Sequence, residues 1–317
     1  MGRSITMRFG IAAAAALALA GCSQDVPPHL KPLPAEAKAL LAQKGMREEA
    51  PMFVRVFKEE NELEVWKAKD DGRYHHFKTY PICTWSGKLG PKQKQGDKQA
   101  PEGFYRVARR QMNPNSSYHL SFNLGYPNKF DRAHRRTGAH LMVHGDCKSA
   151  GCYAMTDALI EEIYILARES FNGGQETFDV HAYPFRMTDA NMRRHRWNRW
   201  RGFWKNLKQG YDHFEATHQT PRVEVCDKRY LVNASFVNDS ARVDPSGACP
   251  AYQRLPVEAL PPAPKFQQAK ADKNKQASAA TPASQATIGG GSTFGFAPKK
   301  PSVAGFAFRL NSLLGRK

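Results

Sequence analysis

His144 and Cys152 stand eight positions apart, with Gly145, Asp146, Cys147, Ser149 and Gly151 between them. A cysteine that attacks a carbonyl needs a base in hydrogen-bonding reach and N–H groups that meet the developing oxyanion. The apolar run over residues 139–143 predicts a strand that delivers His144 at its end. The turn-rich residues that follow predict a tight loop that returns Cys152 beside it. Thr156 with Asp157 predicts the N-cap and first turn of a helix, whose field would favour a thiolate four residues earlier. Gly145 permits a sharp turn, Gly151 lets backbone N–H groups approach an oxyanion, and Ser149 either donates to a carbonyl or holds the loop. The expectation is thiol catalysis, with Cys152 as nucleophile and His144 as general base and acid.

Such a pair needs a sheet to hold it. Strand-like stretches occur at residues 53–58, 63–67 and 74–82, separated by turn signals at Asn61 and Asp70-Asp71-Gly72. Further strands are predicted at 104–109, 119–124 and 178–183. Residues 87–103 are a loop by glycine, proline and charge, and 128–138 a polar loop with a short helical piece over the site. The helix from Thr156 carries Leu159, Ile160, Ile163 and Leu166 on one face, which reads as core. From 188 to 214 the pattern changes. Trp197, Trp200, Trp204, Leu207, Tyr211 and Phe214 form one apolar stripe, and Arg193, Arg194, Arg196, Arg199 and Arg201 crowd its start. Packing on the sheet accounts for the stripe; an anionic membrane or glycan surface is the other use of so basic a segment.

The ends bound the setting. A short basic start, an apolar run over residues 9–20 and then Leu19-Ala20-Gly21-Cys22 read as a secretion signal, the run being too short to span a bilayer. Leu-Ala-Gly-Cys resembles the bacterial lipoprotein cleavage box, which implies lipidation at Cys22 and, with Ser23 following, an outer-membrane anchor on the periplasmic face of a Gram-negative cell. The net charge of +18 therefore points to anionic membrane or wall polymer, not nucleic acid. Of six cysteines, Cys83, Cys147, Cys226 and Cys249 remain after Cys22 and Cys152. Cys226 and Cys249 are the expected disulfide, whereas Cys147 is close enough to Cys152 to reach it if the loop folds back. Residues 260–317 hold nine Lys/Arg and one Asp with no apolar period, the composition of a disordered basic tail. The domain plan is thus signal 1–21, tether 22–50 with one short helix at 35–44, catalytic domain 51–185, helical basic and aromatic extension 186–255, and tail 256–317.

His144-Gly145 followed by Ser149-Ala150-Gly151-Cys152 resembles the signature of the YkuD-type L,D-transpeptidases, cysteine enzymes of periplasmic peptidoglycan. The runs Tyr118-His119-Leu120-Ser121-Phe122-Asn123, Val143-His144-Gly145-Asp146-Cys147 and Gly151-Cys152-Tyr153-Ala154-Met155-Thr156-Asp157 resemble more narrowly the murein branch, which includes the amidase that detaches the major lipoprotein from the wall. The resemblance implies an α+β catalytic domain, mainly β with packed helices. It also implies attack by Cys152 on the carbonyl at the L-centre of the third stem residue, through an acyl-enzyme, without cofactor or metal. An amine acceptor gives a cross-link and water gives hydrolysis, so the partners are peptidoglycan stem peptides and, for a hydrolase, a wall-attached lipoprotein. His119, Tyr153 and Asp146 are candidate substrate contacts, although His119, like His140, reads more simply as a packed histidine. The chain departs from the common family pattern in its short spacer, in Ala150 where a histidine is usual, and in Ala154 where Arg or Asn is usual. Two other readings compete: a zinc site using His144, Asp146, Cys147 and Cys152, and a non-catalytic lipoprotein that binds the wall through its basic surfaces.

Overall fold

Alternation along the strand Met52–Phe57 (β1) sets the layers. Met52, Val54 and Val56 enter one core, while Phe53 and Phe57 enter packing clusters on the opposite face. A strand covered on both sides must lie inside a sheet with layers above and below it. A computed structural model describes residues 26–238 and 240–256, all within the compact unit Met1–Ala263.

After α1 (Ala35–Gln43) and β1 come β2 (Glu62–Ala68), β3 (Tyr74–Pro81), β4 (Thr84–Trp85), β5 (Gly103–Ala108), β6 (Met112–Ser116), β7 (His119–Asn123) and α2 (Lys129–Ala133). Then follow β8 (Met142–His144), β9 (Tyr153–Ala154), α3 (Asp157–Asn172), β10 (Thr177–Tyr183), α4 (Asp189–Arg194) and α5 (Arg201–Thr217), before the short pairs β11 (Val223–Cys226) with β12 (Arg229–Val232) and β13 (Ala234–Phe236) with β14 (Tyr252–Arg254). Two mixed five-stranded sheets carry the fold, ordered β3-β2-β1-β10-β5 and β4-β9-β8-β7-β6. Each contains one parallel pair, β1 with β10 and β8 with β9. The architecture is α+β, as the sequence predicts.

Helix α3 packs on β1, β7 and β8 and joins the two sheets into one core. Its start is the predicted one, since Thr156 caps it by accepting from the Leu159 N–H at 3.4 Å. Ile160, Ile163 and Leu166 are buried and Leu159 is partly buried against the same core. The outer face of the first sheet is covered by α5, where Trp204, Leu207 and Tyr211 pack with Phe57, Phe104 and Tyr183, and Phe214 with Phe53 and Trp66. Arg55, buried on that face, pairs with Glu64 and Glu215 under the rings of Trp66 and Phe214.

Two expectations need correction. The tether assigned to residues 22–50 is no free linker over its described part, because Leu33, Ala37, Leu41, Met46 and Ala50 are buried against the main body. The short helix expected at 35–44 forms as α1, and what the sequence did not show is that its Ala37 and Leu41 are covered. The aromatic stripe is not continuous either. The helix breaks between α4 and α5, so Trp204 to Phe214 are buried while Trp197 is 86% exposed. The region 186–255 also carries four short strands besides its helices. The signal, Cys22 and the basic tail from residue 257 onward lie outside the described residues.

Candidate active site

Strands β8 and β9 are parallel neighbours joined by only eight residues, far fewer than the dozen or more that a parallel crossover ordinarily takes. The connection closes because Asp146 and Cys147 both adopt left-handed backbone, at φ 63° and 47°. Gly145 fits only without a side chain, since a Cβ there would overlap the Asp157 carboxylate. That carboxylate accepts from the Asp146 N–H at 2.8 Å and ties the turn to the start of α3. A disulfide from Cys147 to Cys83, just before β4, straps the loop from its other side. The bond between Cys147 and Cys152 that proximity allowed does not form, and Cys152 is the free thiol among the described residues.

The register brings the two candidate groups together. His144 pairs with Ala154 and Val143 with Tyr153, so Met142 stands level with Cys152. Side chains alternate faces along a strand, which puts Cys152, Ala154, Met142 and His144 on one side of the pair. Val143 and Tyr153 face the core, fully buried. Cys152 thus lies diagonally across one strand gap from His144. Its Sγ accepts from the Met142 N–H at 3.4 Å and lies 3.7 Å from the His140 carbonyl, and no hydrogen bond joins it to His144.

The electrostatics differ from the sequence expectation. Burial pushes the Cys152 thiol above its ordinary value of 9.0, and the Met142 N–H and the Lys92 ammonium pull it back only in part. Burial likewise holds His144, 3% exposed, below 6.5 against the opposing pull of the Gly145 carbonyl and Asp146. The proton therefore rests on sulfur, and the field of α3 does not produce a standing thiolate. His144 Nδ1 lies 2.6 Å from the Gly145 carbonyl. It must donate there, which leaves Nε2 as the basic nitrogen. The ring of Tyr118 lies 4.8 Å from the imidazole and shields it.

Ser149 is the hub of the loop. Its hydroxyl donates to the Cys152 carbonyl at 2.7 Å and accepts from the N–H groups of Gly151 and Cys152 at 3.3 and 3.1 Å. Of its two expected roles it takes the holding one, and the amides expected to meet an oxyanion are engaged by it. Gly151 has φ 129°, a conformation open to glycine alone. A Cβ there would lie 3.6 Å from the carbonyl oxygen of Gln99, so the loop over residues 87–102 forms the facing wall. That loop is irregular but not loose. The buried Lys58 ammonium donates to the carbonyls of Gly90 and Ala100 and to Glu102 at 3.1 Å, and Glu102 accepts in turn from the Gly90 N–H and the Trp204 indole.

Known proteins resemble this chain in sequence. The YkuD profile, an L,D-transpeptidase catalytic domain, matches residues 51–172. YafK of Escherichia coli (strain K12), provisionally named an L,D-transpeptidase, is 48% identical over 184 residues, or 58% of this chain and 74% of YafK. The chain belongs to the L,D-transpeptidase family. Among solved structures, Pgp2 of Campylobacter jejuni, titled a helical cell shape determining protein, is 17% identical with a TM-score of 0.34, over 60% of this chain and 80% of Pgp2. Bd1075 of Bdellovibrio bacteriovorus is 22% identical with a TM-score of 0.30, over 52% and 60%.

Within this L,D-transpeptidase domain three candidate substrate contacts are committed elsewhere. His119 Nε2 lies 2.6 Å from the Glu161 carboxylate on α3. Tyr153 is fully buried and donates to the Pro101 carbonyl at 2.5 Å. Asp146 is exposed, and its carboxylate pairs with Lys148. Both alanine departures have a place: Ala150 is exposed on the loop, and Ala154 is buried opposite His144, where a longer side chain would fill the space beside the imidazole. The zinc reading loses Cys147 to its disulfide. Cys226 and Cys249 form the second disulfide, as expected. Sequence reasoning missed Tyr118 and Lys92. Tyr118 lay within the resembling run, but Lys92 sits in a loop of similar lysines and had no signal of its own.

Proposed function

We propose that the chain is a cysteine-dependent acyltransferase of peptidoglycan stem peptides, with Cys152 as nucleophile and His144 as base and acid. The observation that carries this reading is the pairing of a free thiol with a histidine whose Nδ1 is held by Gly145, on one face of adjacent strands. With the proton on sulfur at rest, attack and deprotonation are coupled. His144 Nε2 takes the thiol proton as the Sγ–carbon bond forms at the stem carbonyl. Collapse of the tetrahedral species breaks the amide C–N bond, and the imidazolium returns the proton to the leaving amine. The thioester then passes to an acceptor amine, giving a cross-link, or to water, giving hydrolysis, with His144 removing the acceptor's proton.

The Met142 N–H, already on sulfur, steadies the thiolate as it forms. For the Gly151 and Cys152 amides to meet an oxyanion, the Ser149 hydroxyl must first release them. The resemblance to a branch that includes a lipoprotein-detaching amidase supports hydrolysis as the second reading. Secretion, lipid attachment at Cys22 and a periplasmic setting belong to the same proposal, because peptidoglycan is met only there. Incubation with muropeptides of defined stem length and mass analysis of the products tests it. New cross-links support transpeptidation and a released peptide without cross-links supports hydrolysis. Equal product from the Cys152→Ala chain would sink both.

A further inference from the structure

We propose that the cleft between residues 88–99 and the corner joining α4 to α5 binds a carboxylate-bearing peptide and extends the candidate active site. This rests on the peptidoglycan reading above and names where the anionic part of such a substrate is held. The cleft has a volume of about 790 Å³ and is lined by Lys88, Lys94, Gln99, Asn198, Arg199 and Trp200 among others. Sites of a few hundred to a thousand Å³ hold a ligand the size of a short peptide.

Its charge is of one sign. Lys88, Lys94 and Arg199 have no carboxylate partner among the described residues, whereas the other ion pairs of this region are closed. The cleft's acidic residue, Asp97, is consumed. It accepts from the Lys92 ammonium at 2.5 Å and from the N–H groups of Gln93, Lys94 and Gln99 at 2.8, 3.0 and 3.0 Å. The floor is shaped. Trp200 lies against Gly90, which has φ 127° and room for no Cβ beneath the indole. The Arg199 guanidinium lies over the same indole, 4.7 Å from its centroid. A guanidinium held over an aromatic ring keeps its N–H donors free to meet a carboxylate in the two-pronged geometry that lysine cannot supply.

Gln99 connects the cleft to the thiol. Its backbone faces Gly151, and its side-chain amide donates to the Gly90 carbonyl at 2.8 Å inside the cleft. One residue therefore walls both spaces, and a chain lying in the cleft is led to the Gly151–Cys152 turn. The concave form suits an extended peptide better than a flat lipid surface, which would meet a protruding face.

The test uses the full chain carrying Cys152→Ala, so that binding is read without turnover. Titration calorimetry with a stem tetrapeptide bearing free carboxylates is compared with its amidated counterpart. Adding Lys94→Glu and Arg199→Glu should weaken binding of the free acid about tenfold or more, and the amidated peptide should bind the parent as weakly. The difference should shrink in about 0.5 M salt. Both residues are exposed, and an unchanged melting temperature, or the milder Arg199→Gln, separates lost binding from lost folding. Equal affinity of parent and charge-reversed chains for the free acid overturns the proposal. So does a double variant that loses binding to phosphatidylglycerol vesicles but keeps the peptide. Turnover by the Cys152 chain with charge-independent binding removes the cleft and leaves the acyl-enzyme reading. Charge-dependent binding without turnover does the reverse.

Discussion

The resting protonation state of the Cys152–His144 pair is open to direct measurement. Burial raises the thiol above 9.0 and lowers the imidazole below 6.5, so the two shifts move the proton in the same direction, onto sulfur. With a thiol pKa above 9.0, less than about one part in a hundred is thiolate at pH 7, and each pH unit below the pKa costs a factor of about ten. Cysteine enzymes that hold a standing thiolate–imidazolium pair are fully ionised at neutral pH. The assay is alkylation of the full chain by iodoacetamide at a series of pH values, read as modification of the peptide that contains Cys152. The rate should rise about a hundredfold from pH 7 to pH 9 without a plateau. Because the base is not ionised by the thiol at rest, His144→Gln should change that profile little while reducing turnover by about 10²–10⁴. A plateau between pH 6 and 8 in the parent, lost in His144→Gln, would refute the reasoning and restore the ion pair.

Turnover itself should follow neutral His144: kcat/KM falls as the pH drops below 6.5, since the lowered imidazole accepts its proton only there, and an acid limb centred above pH 7 would contradict the shift. Ser149→Ala removes four hydrogen bonds, one of them to the Ser86 hydroxyl, and leaves two loop amides without their acceptor, which should cost about 1–3 kcal/mol in urea unfolding; an unchanged midpoint would mean that water replaces the hydroxyl. Glu102→Gln leaves the fully buried Lys58 ammonium without its counter-charge and should destabilise the chain by about 3–5 kcal/mol, whereas Lys58→Met with Glu102→Gln, which keeps an acceptor for the Gly90 N–H and the Trp204 indole, should recover part of the loss. Removing the Cys83–Cys147 disulfide, which closes 64 residues, by Cys83→Ser with Cys147→Ser should cost up to about 4 kcal/mol and slow turnover, read by calorimetry and by product mass against the parent chain.

Much of the site was legible because its signals are local. An apolar run ending in His-Gly, a turn-rich spacer, and Thr-Asp before an amphipathic helix each depend on neighbours a few residues away; the structure keeps the loop, the capped helix and His144 at a strand end, although that strand begins only at Met142 and not at residue 139. Strand alternation placed β1, β2, β3, β5, β7 and β10 to within a residue or two. The misreadings share a different cause. The segment called a tether hides its apolar face in a pattern too short to stand out without the surface that covers it. The aromatic stripe continues past the helix break, because periodicity alone cannot tell a buried Trp204 from an exposed Trp197.

By itself the sequence determined which residue types could do chemistry here: a thiol and an imidazole close in the chain, brought to adjacent strands by a short glycine-bearing loop. Tertiary structure decided everything that depends on residues distant in sequence. It paired Cys147 with Cys83 and left Cys152 free, and it turned His119 toward Glu161. It also folded residues 87–102 against Gly151, with the buried Lys58–Glu102 pair holding that wall in place. The protonation of the site belongs to the same list, because a pKa is set by what surrounds a group. The layers that bury His144 and partly cover Cys152 come from the whole fold.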